Sequence, residues 1–76
     1  MKLHLGGQFS FYLLGHPRQV ELHLEEPTQL REILAGLGIP VAEINLAIIN
    51  GELVDIQDAL VTQQDEVRLY PPVSGG

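Results

Sequence analysis

The stretch LAIINGELV, residues 46–54, decides the fold. Two apolar runs flank Asn50-Gly51, and a two-residue type I′ turn needs positive φ at both central positions. Asn and Gly tolerate that conformation best. The stretch therefore reads as an antiparallel hairpin. A lone hairpin is marginal in water, so its apolar side needs a cover. The cover lies upstream, where Leu30, Ile33, Leu34 and Leu37 fall at i, i+3, i+4 and i+7. That spacing is one apolar stripe on an α-helix. Thr28 stands where an N-cap belongs, although Arg31 and Glu32 leave the capping box imperfect. Gly36 costs the helix about 1 kcal/mol relative to Ala. Gly38 and then Pro40 stop it, and PVAEI (40–44) reads as a single helical turn before the hairpin.

Downstream, ALVTQQDE (59–66) reads as a loop with Leu60 tucked under the sheet as an anchor. EVRLY (66–70) reads as the last strand, with Val67 and Leu69 inward and Arg68 and Tyr70 outward. Toward the N-terminus, QVELHL (19–24) alternates Val20, Leu22 and Leu24 with Gln19, Glu21 and His23, the period of a strand with one buried face. Pro17 suits the second position of a turn leading into it. KLHL (2–5) and FSFYLL (9–14) are strand-like, with Gly6-Gly7 marking a bulge or bend, so this region is one strand or a strand and a loop.

The 76 residues make one small domain, expected over residues 1–70, with an extended tail over 71–76. Hydrophobic residues make up 45% of the chain and Trp is absent, so the core is expected to be aliphatic. The resulting class is α+β: one main helix packed on one face of a mixed sheet of four to five strands. With the last strand parallel beside the first, the middle of the sheet closes and the C-terminus comes out at its edge. That is the ubiquitin-like β-grasp arrangement.

Composition also excludes functions. There are no cysteines, which removes disulfides, Cys-based metal sites and a Cys nucleophile. Net charge is −6, and the four basic residues, Lys2, Arg18, Arg31 and Arg68, are scattered, which argues against a nucleic-acid partner. No apolar run approaches the roughly 18 residues of a membrane span, and His4, Gly6-Gly7 and Gln8 interrupt the opening run. No membrane partner and a cytoplasmic location are expected. His4, His16 and His23 lack ligand spacing, and the acidic residues Glu25, Glu26, Asp55, Asp58, Asp65 and Glu66 fit no calcium loop, so no metal site is expected. No nucleophile–base pair marks the chain as an enzyme.

LGIP (37–40), INGELVD (49–55) and above all DEVRLYPPVSGG (65–76) resemble the MoaD/ThiS-type sulfur carriers. That family includes the small subunit of molybdopterin synthase and the sulfur carrier of thiamine thiazole synthesis. The aromatic-Pro-Pro-Val-small-Gly-Gly ending is similar to the molybdopterin branch. Two stretches depart from the family pattern: LHLGGQFSFYLLG (3–15) lacks an Arg-Glu after an aromatic, and TQQDE (62–66) replaces an Asp-Gly-Asp turn.

The resemblance implies a protein cosubstrate with no bound cofactor. The Gly76 carboxylate would be adenylated by an E1-like enzyme of the MoeB/ThiF type, which uses ATP and Mg. It would then become a thiocarboxylate and pass its sulfur to an acceptor such as the molybdopterin synthase large subunit. Gly75 would give access to the acyl carbon, Pro71, Pro72, Val73 and Ser74 would form the arm, and Tyr70 would mark the docking face, with Leu53 either joining it or lying in the core. A terminal carboxylate, which ordinarily titrates at about pH 3.3–3.7, is ionised at neutral pH and a poor electrophile until activated. The six residues from Pro71 span at most roughly 20 Å. Three other readings stand beside this one: a carrier for thiamine thiazole or another sulfur-transfer pathway, a ubiquitin-like protein modifier, and a passive interaction domain.

Overall fold

A computed structural model of the chain describes residues 1–72. Among the described residues, seven strands form two sheets, accompanied by one α-helix. The main sheet has the order β2-β1-β7-β4-β5, from β1 (Lys2–Leu5), β2 (Gln19–Glu21), β4 (Leu46–Ile49), β5 (Glu52–Val54) and β7 (Glu66–Tyr70). β1 and β7 run parallel, with Leu3 beside Val67 and Leu5 beside Leu69; every other pairing in the sheet is antiparallel. A small second sheet joins β3 (Thr28–Gln29) to β6 (Leu60–Val61). With α1 (Leu30–Leu37) packed on one face of the mixed sheet, the fold is the ubiquitin-like β-grasp.

The core is aliphatic apart from Phe9. Leu3, Leu30, Leu34, Val61, Val67 and Leu69 have no exposed surface, and Phe9 joins them. Alternation in β7 is as the sequence predicts, Val67 and Leu69 inward and Arg68 and Tyr70 outward. The hairpin turn is type I′ in sign, with φ 51° at Asn50 and 85° at Gly51. Gly38 closes α1 at φ 78°, its N–H directed to Ala35 O while Ile39 N–H reaches Leu34 O at 2.9 Å. These are the two bonds of a Schellman cap, and the following Ile39 is buried against the core. The single turn before the hairpin is a 3₁₀ turn, Val41–Glu43.

Four local expectations are corrected. FSFYLL is not strand: a 3₁₀ segment covers Gly7–Tyr12, because positive φ at Gly7 (54°) turns the chain out of β1 and carries Phe9 back over the core. The strand in QVELHL stops at Glu21, since its partner β1 begins at Lys2; beyond it, Leu22 N–H reaches only Met1 O. Thr28 is not the cap. Its backbone is extended in β3, its hydroxyl donates to Glu26 O, and Gln29 takes the N-cap position. A tertiary contact replaces the hydroxyl, Leu30 N–H donating to Ala59 O at 3.0 Å. Leu60 is no anchor either. It lies 56% exposed, because pairing with β3 turns its neighbour Val61 inward instead.

Asn50 does more than turn the hairpin. Its side-chain N–H donates to Asp65 Oδ1 at 2.8 Å and its Oδ1 accepts from Glu66 N–H at 2.9 Å, fastening the turn to the start of β7. Asp65 Oδ2 accepts from Thr62 N–H at 2.8 Å. That backbone bond, helped by Asn50, holds the Asp65 carboxyl below the usual aspartate range.

Two outcomes follow from the packing and from this turn. Leu34→Ala removes a fully buried side chain, and the unfolding free energy should drop by about 3 kcal/mol, lowering Tm by roughly 10–20 °C. A change below about 1 kcal/mol in denaturant unfolding would contradict the assigned core. Asp65, with its folded pKa depressed, stabilises the fold above the unfolded value of about 3.9 and loses that contribution as pH falls through the lower folded value. Asp65→Asn should therefore flatten the acid limb of a urea-midpoint against pH curve below about pH 4. Parallel curves for the two proteins would show that the turn does not bind the carboxylate form selectively.

Candidate functional site

The end of β7 is where the chain's architecture and its unusual C-terminus meet. β7 is the central strand, so the tail leaves from the middle of the sheet and not from a flanking edge. Leu69 O accepts from Gly6 N–H and Tyr70 O from Asn45 N–H, each at 2.9 Å, which ties the strand end to both neighbours. Pro71 and Pro72 follow, and neither has an N–H to carry the ladder further. Hydrogen-bonded sheet thus stops at Tyr70.

Register defines an open face opposite α1. Glu66, Arg68 and Tyr70 share that face with Lys2 and His4 of β1, Leu46 and Ile48 of β4, and Leu53 of β5. Leu53 is 67% exposed, and Leu46 and Tyr70 are each more than a third exposed. Leu53 is therefore a surface residue and not core. Tyr70, Leu46, Ile48 and Leu53 make an apolar strip that reaches from the tail root to the hairpin.

Beside the strip lies a polar cluster. His4 Nε2 and Glu66 Oε2 are 2.7 Å apart, and Arg68 Nη2 approaches the same oxygen at 3.8 Å. The His4 hydrogen bond, followed by the nearby positive charges, holds the Glu66 carboxyl below the usual glutamate range. His4 is thus engaged with Glu66. Of the other histidines, His16 meets the Phe11 ring edge-on at 4.8 Å between centroids, and His23 lies 3.6 Å from Glu25.

Near the same end of the sheet, the 3₁₀ segment after β1 is tied to the 3₁₀ turn before β4. Tyr12 OH donates to the Glu43 carboxylate at 2.7 Å, and that bond pushes the Tyr12 phenol up from its ordinary pKa. Phe11 and Leu14 stand exposed beside it.

Of the residues expected to serve the tail, Tyr70 is placed on the open face, Pro71 is half-buried and Pro72 exposed. Val73, Ser74, Gly75 and Gly76 lie outside the described residues. Sequence reasoning missed the His4–Glu66 pair and the Tyr12–Glu43 tie, which join residues 62 and 31 positions apart. It also missed what Gly6-Gly7 touches. A signal existed: parallel first and last strands place whatever follows one beside whatever follows the other.

A family model described as the ThiS family matches residues 11–76. None of the curated proteins compared with the chain matches it. Among the described residues, no helix is long and apolar enough to cross a membrane.

The His4–Glu66 contact is measurable directly. By carboxyl ¹³C NMR, Glu66 should titrate below the ordinary glutamate range, and His4→Ala should move it upward toward that range. An unmoved titration would mean that the pair does not form in solution.

Proposed function

The chain belongs to the ThiS family of small sulfur-carrier proteins, and from that premise we propose that it carries sulfur as a thiocarboxylate on Gly76 for molybdopterin biosynthesis. The observation that carries this reading is the position of the Tyr-Pro-Pro ending. It follows the hydrogen-bonded end of the central strand and adjoins an exposed apolar face.

In this reading the chemistry belongs to the terminus and to its partners. A carboxylate oxygen of Gly76 attacks the α-phosphorus of ATP in the site of an E1-like enzyme that also holds Mg, and pyrophosphate leaves. A sulfide-equivalent nucleophile then attacks the acyl carbon. The C–S bond forms as the C–O bond to phosphate breaks, and AMP departs with the electron pair. In the acceptor enzyme, here the large subunit of molybdopterin synthase, the thiocarboxylate sulfur bonds to a carbon of the pterin precursor and displaces an oxygen substituent. Hydrolysis of the resulting thioester then breaks the acyl C–S bond, leaving sulfur on the pterin and a carboxylate on Gly76. No side chain of the carrier takes part in bond making.

The body's task is presentation. Tyr70, Leu46, Ile48 and Leu53 form an apolar patch with an aromatic at one end, the composition that anchors protein interfaces. Pro71 and Pro72 keep the first part of the arm extended, which reduces the entropy lost when Val73, Ser74, Gly75 and Gly76 enter a partner's channel. Lacking Cβ, Gly75 and Gly76 let partner backbone close around the acyl carbon. The ending favours the molybdopterin branch, because aromatic-Pro-Pro-Val-small-Gly-Gly is its resemblance.

Intact-mass measurement on protein from cells tests the carrier role. One oxygen exchanged for one sulfur is the expected product, and deletion of Gly75 and Gly76 should abolish it; high-mass conjugates instead would mark a protein modifier. Supplying the thiocarboxylated protein to purified acceptors tests the branch, since sulfur incorporated into a thiazole and not into a pterin would overturn the molybdopterin assignment. Leu53→Asp, far from the terminus, should raise KM for adenylation about tenfold with kcat little changed. An unaltered KM would remove the apolar strip from the docking surface.

A further inference from the structure

Gly6 and Gly7 play no part in the reading above, yet they are where the root of the tail rests. β1 and β7 are in parallel register as far as Leu5 beside Leu69. One step further sets Gly6 beside Tyr70, and the next sets Gly7 beside Pro71. A Cβ on Gly6 would stand 2.6 Å from Leu69 O and 3.2 Å from Tyr70 Cδ1. A Cβ on Gly7 would stand 2.6 Å from Pro71 Cγ and 3.2 Å from Pro71 Cδ. Both shorter distances lie inside van der Waals contact. The same construction on Gly15, Gly36, Gly38 and Gly51 meets nothing within 4 Å. Among the described glycines, close approach is thus confined to the two that face Tyr70 and Pro71.

Resting on the carrier reading, we infer that Gly6-Gly7 forms a saddle that aims the C-terminal arm, with Gly7 a positioning residue for delivery of the Gly76 acyl group. Among the described residues the ladder ends at Tyr70, because Pro71 has no N–H and the last tie is Asn45 N–H, just before β4, to Tyr70 O. Among the described residues, the Pro71 ring seated against bare Gly7 backbone is the contact beyond that point. Gly7 also holds φ at 54°, which turns the chain away just after the contact. Arm length multiplies any error at the root: over roughly 20 Å, a tilt of about 10° moves the tip by about 3–4 Å. Misplacement of about 1 Å at a reacting centre can cost on the order of a hundredfold in rate. The body docks in either case, so the loss falls on kcat and not on KM.

Gly7→Asn isolates the contact, because Asn tolerates positive φ but adds a Cβ against the proline. With ATP and the cognate adenylating enzyme, pyrophosphate release should show kcat reduced about tenfold and KM within about twofold. Adding Pro71→Ala, which deletes the ring atoms in contact, should recover most of that loss when compared with Pro71→Ala alone. An unchanged kcat, a change in KM only, or a loss that Pro71→Ala leaves intact would overturn the inference. Should Gly7→Asn fail to fold, the unmodified protein still decides, since a nuclear Overhauser contact between Gly7 Hα and the Pro71 ring is required and its absence refutes the saddle. Failure of the carrier reading looks different: the unmodified protein would then release no pyrophosphate at all, while the Overhauser contact would be unaffected.

Discussion

Parallel pairing of the first and last strands is the constraint on which the rest of this structure depends. Leu3 and Leu5 meet Val67 and Leu69 in register, and all four are buried. Residues more than sixty positions apart must find each other before the middle of the sheet exists, a non-local contact whose loop-closure cost comes early and whose reward comes late. Once made, it leaves β2 and the β4–β5 hairpin to add on either side. It also makes both strands end at the same end of the sheet, which brings Gly6 against Tyr70 and Gly7 against Pro71.

From that pairing follows a division of labour between the two faces. One face holds α1 and the aliphatic core, and a chain of this length has little apolar surface to spare. The other keeps Leu46, Leu53 and Tyr70 in water. A monomer gains nothing by exposing them, whereas a partner that covers them gains an anchor. The His4–Glu66–Arg68 cluster beside them is already internally matched in charge, so it forms a neutralised border to the apolar strip and leaves little unpaired charge in its midst.

Features settled by a few neighbouring residues were legible in the sequence. Asn50-Gly51 admits one tight turn, Gly38 and then Pro40 stop the helix, and the alternation in EVRLY admits one inward face. Misreadings came where a distant backbone overruled a local preference. Thr28 lost its capping role because the small β3–β6 sheet claims its backbone and Ala59 O serves the first helical N–H. Leu60 and Val61 exchanged faces for the same reason. FSFYLL reads as strand-like, but Phe9 and Ser10 turn inward together while Phe11 and Leu14 stay exposed, and Gly7 breaks the extension before alternation can matter. Of the site, the Tyr-Pro-Pro-Val-Ser-Gly-Gly string was legible as a resemblance to the sulfur carriers, while the seating of Tyr70 and Pro71 on Gly6-Gly7 was not, because that needs the strand order first.

On the proposed carrier role, placing the terminus after the central strand would meet two opposed demands. The acyl group has to reach well outside the body, which favours a long free arm. It also has to arrive in one orientation, which favours a short rigid one. An edge strand would offer hydrogen bonds from one side only and invite pairing with other chains along the arm. A central strand is gripped from both sides up to its last carbonyl, here Tyr70 O, and prolines immediately after it forbid further pairing. Sheet hydrogen bonding therefore stops at Tyr70, and the chain leaves the sheet through Pro71 and Pro72. On the inferred saddle, the direction of the arm is set within the short span from Tyr70 to Pro72, where Gly6 and Gly7 present bare backbone to Tyr70 and Pro71.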